Sequence, residues 1–156
     1  MKLAEPAKKP VYLDVCALCR SFDDQQYMRI RLETAAVELI IEHIRFGNYE
    51  LYYSSTHLFE IEEIEDSYER GELQDLMRSW GVDAKKKVSL KETRQRAEEL
   101  VQKGFGFADA AHVAFAEALK APFITCDDKL IKRCRRYSIS VWCGTPVEFC
   151  EQENIK

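Results

Sequence analysis

Val11-Tyr12-Leu13-Asp14-Val15 is a short β-rich run that turns acidic near its end. A run of this kind between polar stretches suits a buried parallel strand, because a strand covered on both faces needs no polar alternation. Glu50-Leu51-Tyr52-Tyr53-Ser54 and Pro122-Phe123-Ile124-Thr125-Cys126 read the same way, the latter closing in Asp127-Asp128, and Ile139-Ser140-Val141-Trp142-Cys143 is a fourth. Helical patterns separate them. From about Gln25 to Phe46, Met28, Leu32, Ala36, Ile40 and Ile44 recur every four residues, with Leu39 widening the stripe. Gly47-Asn48 stops that helix as a left-handed cap does. Ser54, Ser55 and Thr56 offer N-caps for a helix through Ile61 and Ile64. A charged, mostly helical middle extends to about Lys103, with breaks expected at Gly71, Gly81 and Lys85-Lys86-Lys87. Gly104-Phe105-Gly106 precedes an alanine-rich helix, Phe107–Leu119; a basic helix follows Asp127, and Pro146 opens a last short one.

Strands alternating with helices predict an α/β domain of three layers, α/β/α, around a mainly parallel sheet. Residues 1–10 read as an N-terminal lead-in and residues 11–152 as a single domain. Right-handed crossovers place the helix entries on the edge formed by the strand C-termini, where such sheets bind ligands.

A chain of 156 residues is long enough to bury a core without staples. No apolar run could span a bilayer, and MKLAEPAKKP has no apolar centre of signal-peptide length, so a cytoplasmic location is expected. A reducing compartment leaves the six cysteines as free thiols. The formal net charge of −4 argues against a protein that merely coats nucleic acid, but not against an enzyme acting on it. Locally, Lys129, Lys132, Arg133, Arg135 and Arg136 crowd one stretch, either as a solvated helix face or as a phosphate-binding surface.

The acids fall at informative places. Asp14 ends the first strand, Glu60 lies early in the helix after the second, Asp109 begins the alanine-rich helix, and Asp127 follows the third strand. Carboxylates gathered at one edge repel one another and raise each other's pKa. A hard divalent cation removes that penalty, and Mg²⁺ takes such oxygen ligands while keeping waters. The ion would activate water for attack on a phosphate and offset charge on its oxygens. Each acid also has a plainer reading: Asp14 as a cap, Glu60 on a solvated face with Glu62, Glu63 and Glu65, Asp109 complementing a helix dipole, and Asp127 as an N-cap with Asp128 the ligand.

Taken in order, these elements resemble PIN domains. Tyr12-Leu13-Asp14-Val15 resembles their opening strand, and Ser54-Ser55-Thr56-His57-Leu58-Phe59-Glu60 the second strand and acidic helix. Phe107-Ala108-Asp109-Ala110-Ala111-His112 is similar to the family's Asp-Ala helix start, and Pro122-Phe123-Ile124-Thr125-Cys126-Asp127 to its strand closing in Thr-x-Asp. The resemblance covers residues 11 to about 143. It implies a Mg²⁺- or Mn²⁺-dependent endoribonuclease that leaves a 5′-phosphate and a 3′-hydroxyl. It also implies a VapC-like toxin that forms a homodimer and is inhibited by an antitoxin protein. Carried over, Asp14, Glu60, Asp109 and Asp127 are the metal and catalytic residues, and Thr125 supports them near the phosphate or a ligand. Arg20 and Lys129 are expected to steer the RNA backbone. Two departures stand out: Cys16 replaces a small polar residue after the first acid, so a hydrogen bond near the metal is expected to be missing, and the connection over Arg20–Arg45 is long.

Other readings have less behind them. A non-catalytic PIN-like module binding RNA or a protein partner is the alternative. Cys16-Ala17-Leu18-Cys19 is a C-x-x-C that raises redox sensing, but no second pair completes a zinc site. No G-x-G-x-x-G, P-loop or G-x-S-x-G motif occurs. A receiver would pair its acid with upstream acids, and a phosphatase would carry a second Asp where Cys16 stands. His112, one turn after Asp109, either packs or faces the site; His43 and His57 carry no stronger signal.

Overall fold

The computed structural model describes residues 7–156; positions 1–6 of the expected lead-in lie outside the described residues. Among the described residues there are five strands: β1 (Lys9–Leu13), β2 (Tyr49–Tyr53), β3 (Gly81–Asp83), β4 (Phe123–Ile124) and β5 (Cys143–Gly144). They form one sheet in the order β3-β2-β1-β4-β5, and every pairing is parallel. Eight α-helices accompany it among the described residues: α1 (Val15–Leu18), α2 (Met28–Arg45), α3 (Ser55–Glu62), α4 (Ser67–Trp80), α5 (Leu90–Gln102), α6 (Phe107–Leu119), α7 (Asp128–Arg136) and α8 (Pro146–Gln152).

Side-chain alternation along β1 divides the core in two. Val11 and Leu13 face a cluster completed by Val37 and Ile40 of α2, Ile61 of α3, Met77 of α4 and Phe149 of α8. Tyr12 faces the opposite cluster with Phe123, Leu100 of α5, Ala110 and Val113 of α6, and Leu130 of α7. The expected three layers are therefore present. The alanines of α6 are what let that helix lie close to the sheet: Ala110, Ala114 and Ala116 are all buried.

Local signals act as their chemistry predicts. Gly47, at φ +86°, closes α2, with Asn48 N donating to His43 O at 3.0 Å and Gly47 N to Ile44 O at 3.0 Å. Thr145 and Glu148 form a reciprocal capping box at α8, with Pro146 in its first turn. Several boundaries differ from expectation. β1 starts at Lys9 and stops at Leu13, because Asp14 turns the chain by capping α1; Val15 is helical. The last strand is Cys143–Gly144 rather than 139–143. Gly71 does not interrupt α4. Gly81 begins an unexpected fifth strand, whose three residues carry too little β-branched character to announce it. The four-residue stripe on α2 also divides. Each step of four drifts about 40° round a helix, so Met28 and Leu32 are exposed while Ala36, Ile40 and Ile44 are buried.

Gly81 has an extended backbone (φ −79°), so its constraint is space rather than conformation. A Cβ there would come within 2.6 Å of Met77 O and 2.6 Å of Tyr53 Cδ1. We expect Gly81→Ala to cost about 1–3 kcal/mol in urea denaturation. Stability equal to the parent would contradict this close return of α4 onto β2.

Candidate functional site

The sheet order places a topological switch between β1 and β4: from β1 the chain builds outward to β2 and β3, then returns to the other side as β4 and β5. Crossovers diverge there and leave a crevice at the strand C-termini. Asp14 follows β1 and Asp127 lies three residues beyond β4, with Asp14 N bonded to Ile124 O at 3.1 Å across the junction.

Asp14 is almost fully buried. Its Oδ1 accepts from Ala17 N at 3.1 Å, as the N-cap of α1, and from the Cys16 thiol at 3.0 Å. The hydrogen bond expected to be missing at position 16 is thus supplied by sulfur. Burial pushes the Asp14 carboxyl up, and the Cys16 and Thr125 hydrogen bonds draw it back down. Burial and the neighbouring Asp14 charge push the Cys16 thiol well up, and burial does the same to Cys19 with help from Glu69. Both stay thiols, which removes support from redox sensing. All six cysteines are free.

Asp127 is the N-cap of α7, accepting from Lys129 N at 3.0 Å and Leu130 N at 3.2 Å. Thr125 is fully buried, and its hydroxyl accepts from Asp127 N at 3.1 Å, so it holds the Asp127 turn. Asp128 points elsewhere: Arg29 grips it through two nitrogens at 2.6 and 2.8 Å. Of the two adjacent acids, Asp127 is the one whose charge raises the Asp109 carboxyl. Arg20 is also engaged, donating to Glu33 at 2.9 and 3.1 Å and to Asp23 at 3.0 Å. Its guanidinium serves a strut between the α1 turn and α2. Lys129 is exposed beside the Asp127 cap.

Glu60 is brought in by a buried polar chain. The Tyr12 hydroxyl meets Ser54 Oγ at 2.9 Å and His112 Nδ1 at 2.7 Å, and His112 Nε2 bonds Glu60 Oε1. A carboxylate only accepts, so Nε2 carries the proton towards Glu60 and Nδ1 accepts from Tyr12. His57 forms the floor: Nε2 donates to Leu13 O at 2.6 Å and Nδ1 accepts from Ser54 N at 3.0 Å. Burial pushes its imidazole down to about 3, with His112 adding to the effect, so His57 stays neutral. Tyr12, Ser54, His57 and His112 are all buried and all bonded, linking β1, the end of β2, α3 and α6. The sequence reading missed Tyr12 and Ser54. The available signal was a hydroxyl on a strand buried on both faces, which requires a partner.

Asp109 sits one turn before His112 on α6, half-buried. Burial raises its carboxyl first, and the charges of Asp14, Asp127 and Glu60 raise it further. Those three charges therefore lie near enough to act on the Asp109 carboxyl. Among the described residues, no three His, Cys, Asp or Glu side chains are gathered as closely as ligands on one ion. Lys85, Lys86 and Lys87 lie far along the chain, at a turn after the edge strand β3.

No family model matches the chain, and no curated protein matches its sequence. Solved structures do. It is similar to VapBC2 from Rickettsia felis bound to a DNA fragment from their promoter, at 19% identity over 87% of this chain and 98% of that chain, with a TM-score of 0.54. FitAcB from Neisseria gonorrhoeae aligns at 15% identity over 87% and 97%, with a TM-score of 0.52. PAE2754 from Pyrobaculum aerophilum aligns at 16% over 92% and 86%, with a TM-score of 0.51. At these identities the likeness shows the fold. No described helix is long and apolar enough to cross a membrane.

Tyr12→Phe keeps the ring but strands His112 Nδ1 and Ser54 Oγ in the core. We expect a stability loss of about 1–3 kcal/mol in denaturant titration. A loss of only a few tenths would mean that the chain of bonds is not formed.

Proposed function

Taking as premise the PIN-domain fold that the chain shares with these structures, we propose that it is a Mg²⁺- or Mn²⁺-dependent endoribonuclease whose ion is held by Asp14, Glu60, Asp109 and Asp127. The observation that supports this reading is that Asp14 and Asp127 follow the two strands flanking the β1/β4 switch, while the charges of Asp14, Asp127 and Glu60 all act on Asp109. The donor set fits the ion in kind, being all carboxylate oxygen, and the mutual repulsion felt at Asp109 is what a cation relieves. Such an ion, when bound, supplies Lewis-acid activation for phosphodiester hydrolysis.

The chain's own residues divide the remaining work. Asp14 is oriented by Ala17 N and the Cys16 thiol, and Glu60 by His112, so either carboxylate can position the attacking water. Asp127 is fixed by the first turn of α7 and by Thr125, and Asp109 completes the set. Asp14 and Asp109, whose carboxyls burial pushes up, both gain from a cation. Arg20, held by Glu33 and Asp23, assists by keeping the α1 turn in place rather than by reaching RNA.

The toxin reading, with an antitoxin partner and a homodimer, draws its support from the likeness to VapBC2 and FitAcB and from exposed apolar side chains at Tyr27, Met28 and Leu32. A second reading, a binding-only module, is favoured by one observation: Glu60 and Asp127 already spend oxygens on His112 and on the α7 amides.

The two readings separate in a single assay pair. We expect Mn²⁺ to raise the melting temperature and to support cleavage of single-stranded RNA, with EDTA abolishing both. Asp14→Asn, which keeps an N-cap, should fold normally and cut at least about 100-fold more slowly. Unchanged melting with Mn²⁺ and intact RNA would leave the binding-only module.

A further inference from the structure

We propose that the α7 face bearing Lys129, Lys132, Arg133 and Arg136 is the track on which the phosphodiester backbone of single-stranded RNA lies, leading away from Asp127. The hydrolytic reading supplies the choice of RNA as ligand; the track itself rests on how α7 distributes its charge.

The four cations recur at spacings of three and four, which puts them on one side of the helix. With Tyr137 they line one depression of about 240 Å³. Leu130, Ile131 and Cys134 occupy the opposite side and anchor α7 on the core. The other charges of the helix are spent within the fold: Asp128 on Arg29, and Arg135 on Glu148 at 3.1 Å. Among the described residues, none of the four stripe cations is in an ion pair.

Aromatic rings hold the two arginines instead. The Arg133 guanidinium lies 5.7 Å from the centre of the Phe105 ring, and that of Arg136 lies 5.6 Å from Tyr137, where Lys103 Nζ also approaches at 5.9 Å. Gly104, at φ +97°, leaves the space beside Arg133: a Cβ there would come within 2.9 Å of its Nη1. Ring contacts position a guanidinium without neutralising it, so its charge and N–H groups stay available to an anion. A carboxylate partner would consume both.

Placement selects the anion. Seven helical steps from Lys129 to Arg136 span about 10 Å. The track starts beside Asp127, whose Oδ1 accepts the Lys129 N–H at 3.0 Å. A chain of net charge −4 with four acids at its catalytic edge repels a polyanion, and an unneutralised stripe bordering that edge offsets the repulsion where the strand must enter.

The test uses the Asp14→Asn protein, so that RNA is not consumed, and fluorescence anisotropy of a labelled 12-nucleotide oligouridylate from 50 to 300 mM KCl. Four phosphate contacts predict a slope of log K against log salt of about −3. Lys132→Gln with Arg136→Gln should flatten it by about 1.4, whereas Arg135→Gln, on the same helix but held by Glu148, should leave it unchanged. Equal losses for Arg135→Gln, or a slope untouched by the double variant, would overturn the track. So would tighter binding of an acidic peptide of equal charge, which would make the surface a protein site. RNA binding with the predicted slope but no cleavage in the parent would sink the hydrolytic reading alone. Cleavage with stripe-independent binding would sink the track alone.

Discussion

The Tyr12 hydroxyl, placed in the middle of a sheet buried on both faces, constrains much of this structure. A hydroxyl there costs several kcal/mol unless bonded, and here it is bonded twice, to Ser54 and to His112. Those bonds tie β1 to the end of β2 and to α6, and His112 carries the connection on to Glu60 in α3. The His57 ring beneath closes the same unit by bonding Leu13 O and Ser54 N. Four elements are thereby pinned around the β1/β4 switch by polar contacts specific in direction, where apolar packing alone would tolerate sliding. Asp14 follows β1, and Glu60 and Asp109 lie on α3 and α6, so the placement of these three acids follows from how the core satisfies its polar groups.

Three of the four acids have structural work in the fold. Asp14 and Asp127 cap helices, and Glu60 receives an imidazole N–H. The plain readings of Asp14 and Asp127 as caps are therefore correct, and neither excludes a functional role. A cap fixes a carboxylate's orientation and leaves it lone pairs to use. The fourth, Asp109, has its proton affinity raised by burial and by the other three acids. The contrast across α7 is the electrostatic complement: negative charge concentrates at its N-terminus, and positive charge runs unneutralised down one face.

Much of this was legible from residue order. The runs at 11–15, 50–54 and 122–126 marked β1, β2 and β4, and Phe107–Leu119 is helical at the residues its alanines indicate. Gly47 and Pro146 punctuated as their backbone chemistry requires. What failed to show has physical causes. β3 is three residues at an edge, held by pairing to β2 rather than by propensity. Gly71 sits on an open helix face, where no neighbour lies within 4 Å, so it did not break α4. Arg20 looked free because its partner Glu33 lies thirteen positions on, and Asp128 was separable from Asp127 only once Arg29 had folded over it. The Tyr12–His112 pairing spans a hundred residues and was invisible to any local pattern.

The central claim is that Asp14, Glu60, Asp109 and Asp127 share one divalent cation at the β1/β4 edge. Crystals grown with Mn²⁺ and recorded at a wavelength where manganese scatters anomalously test it directly. The account predicts an anomalous peak bounded by these carboxylates and absent from Asp109→Asn crystals. An edge with no peak at saturating Mn²⁺, or a peak held by other residues, would contradict it.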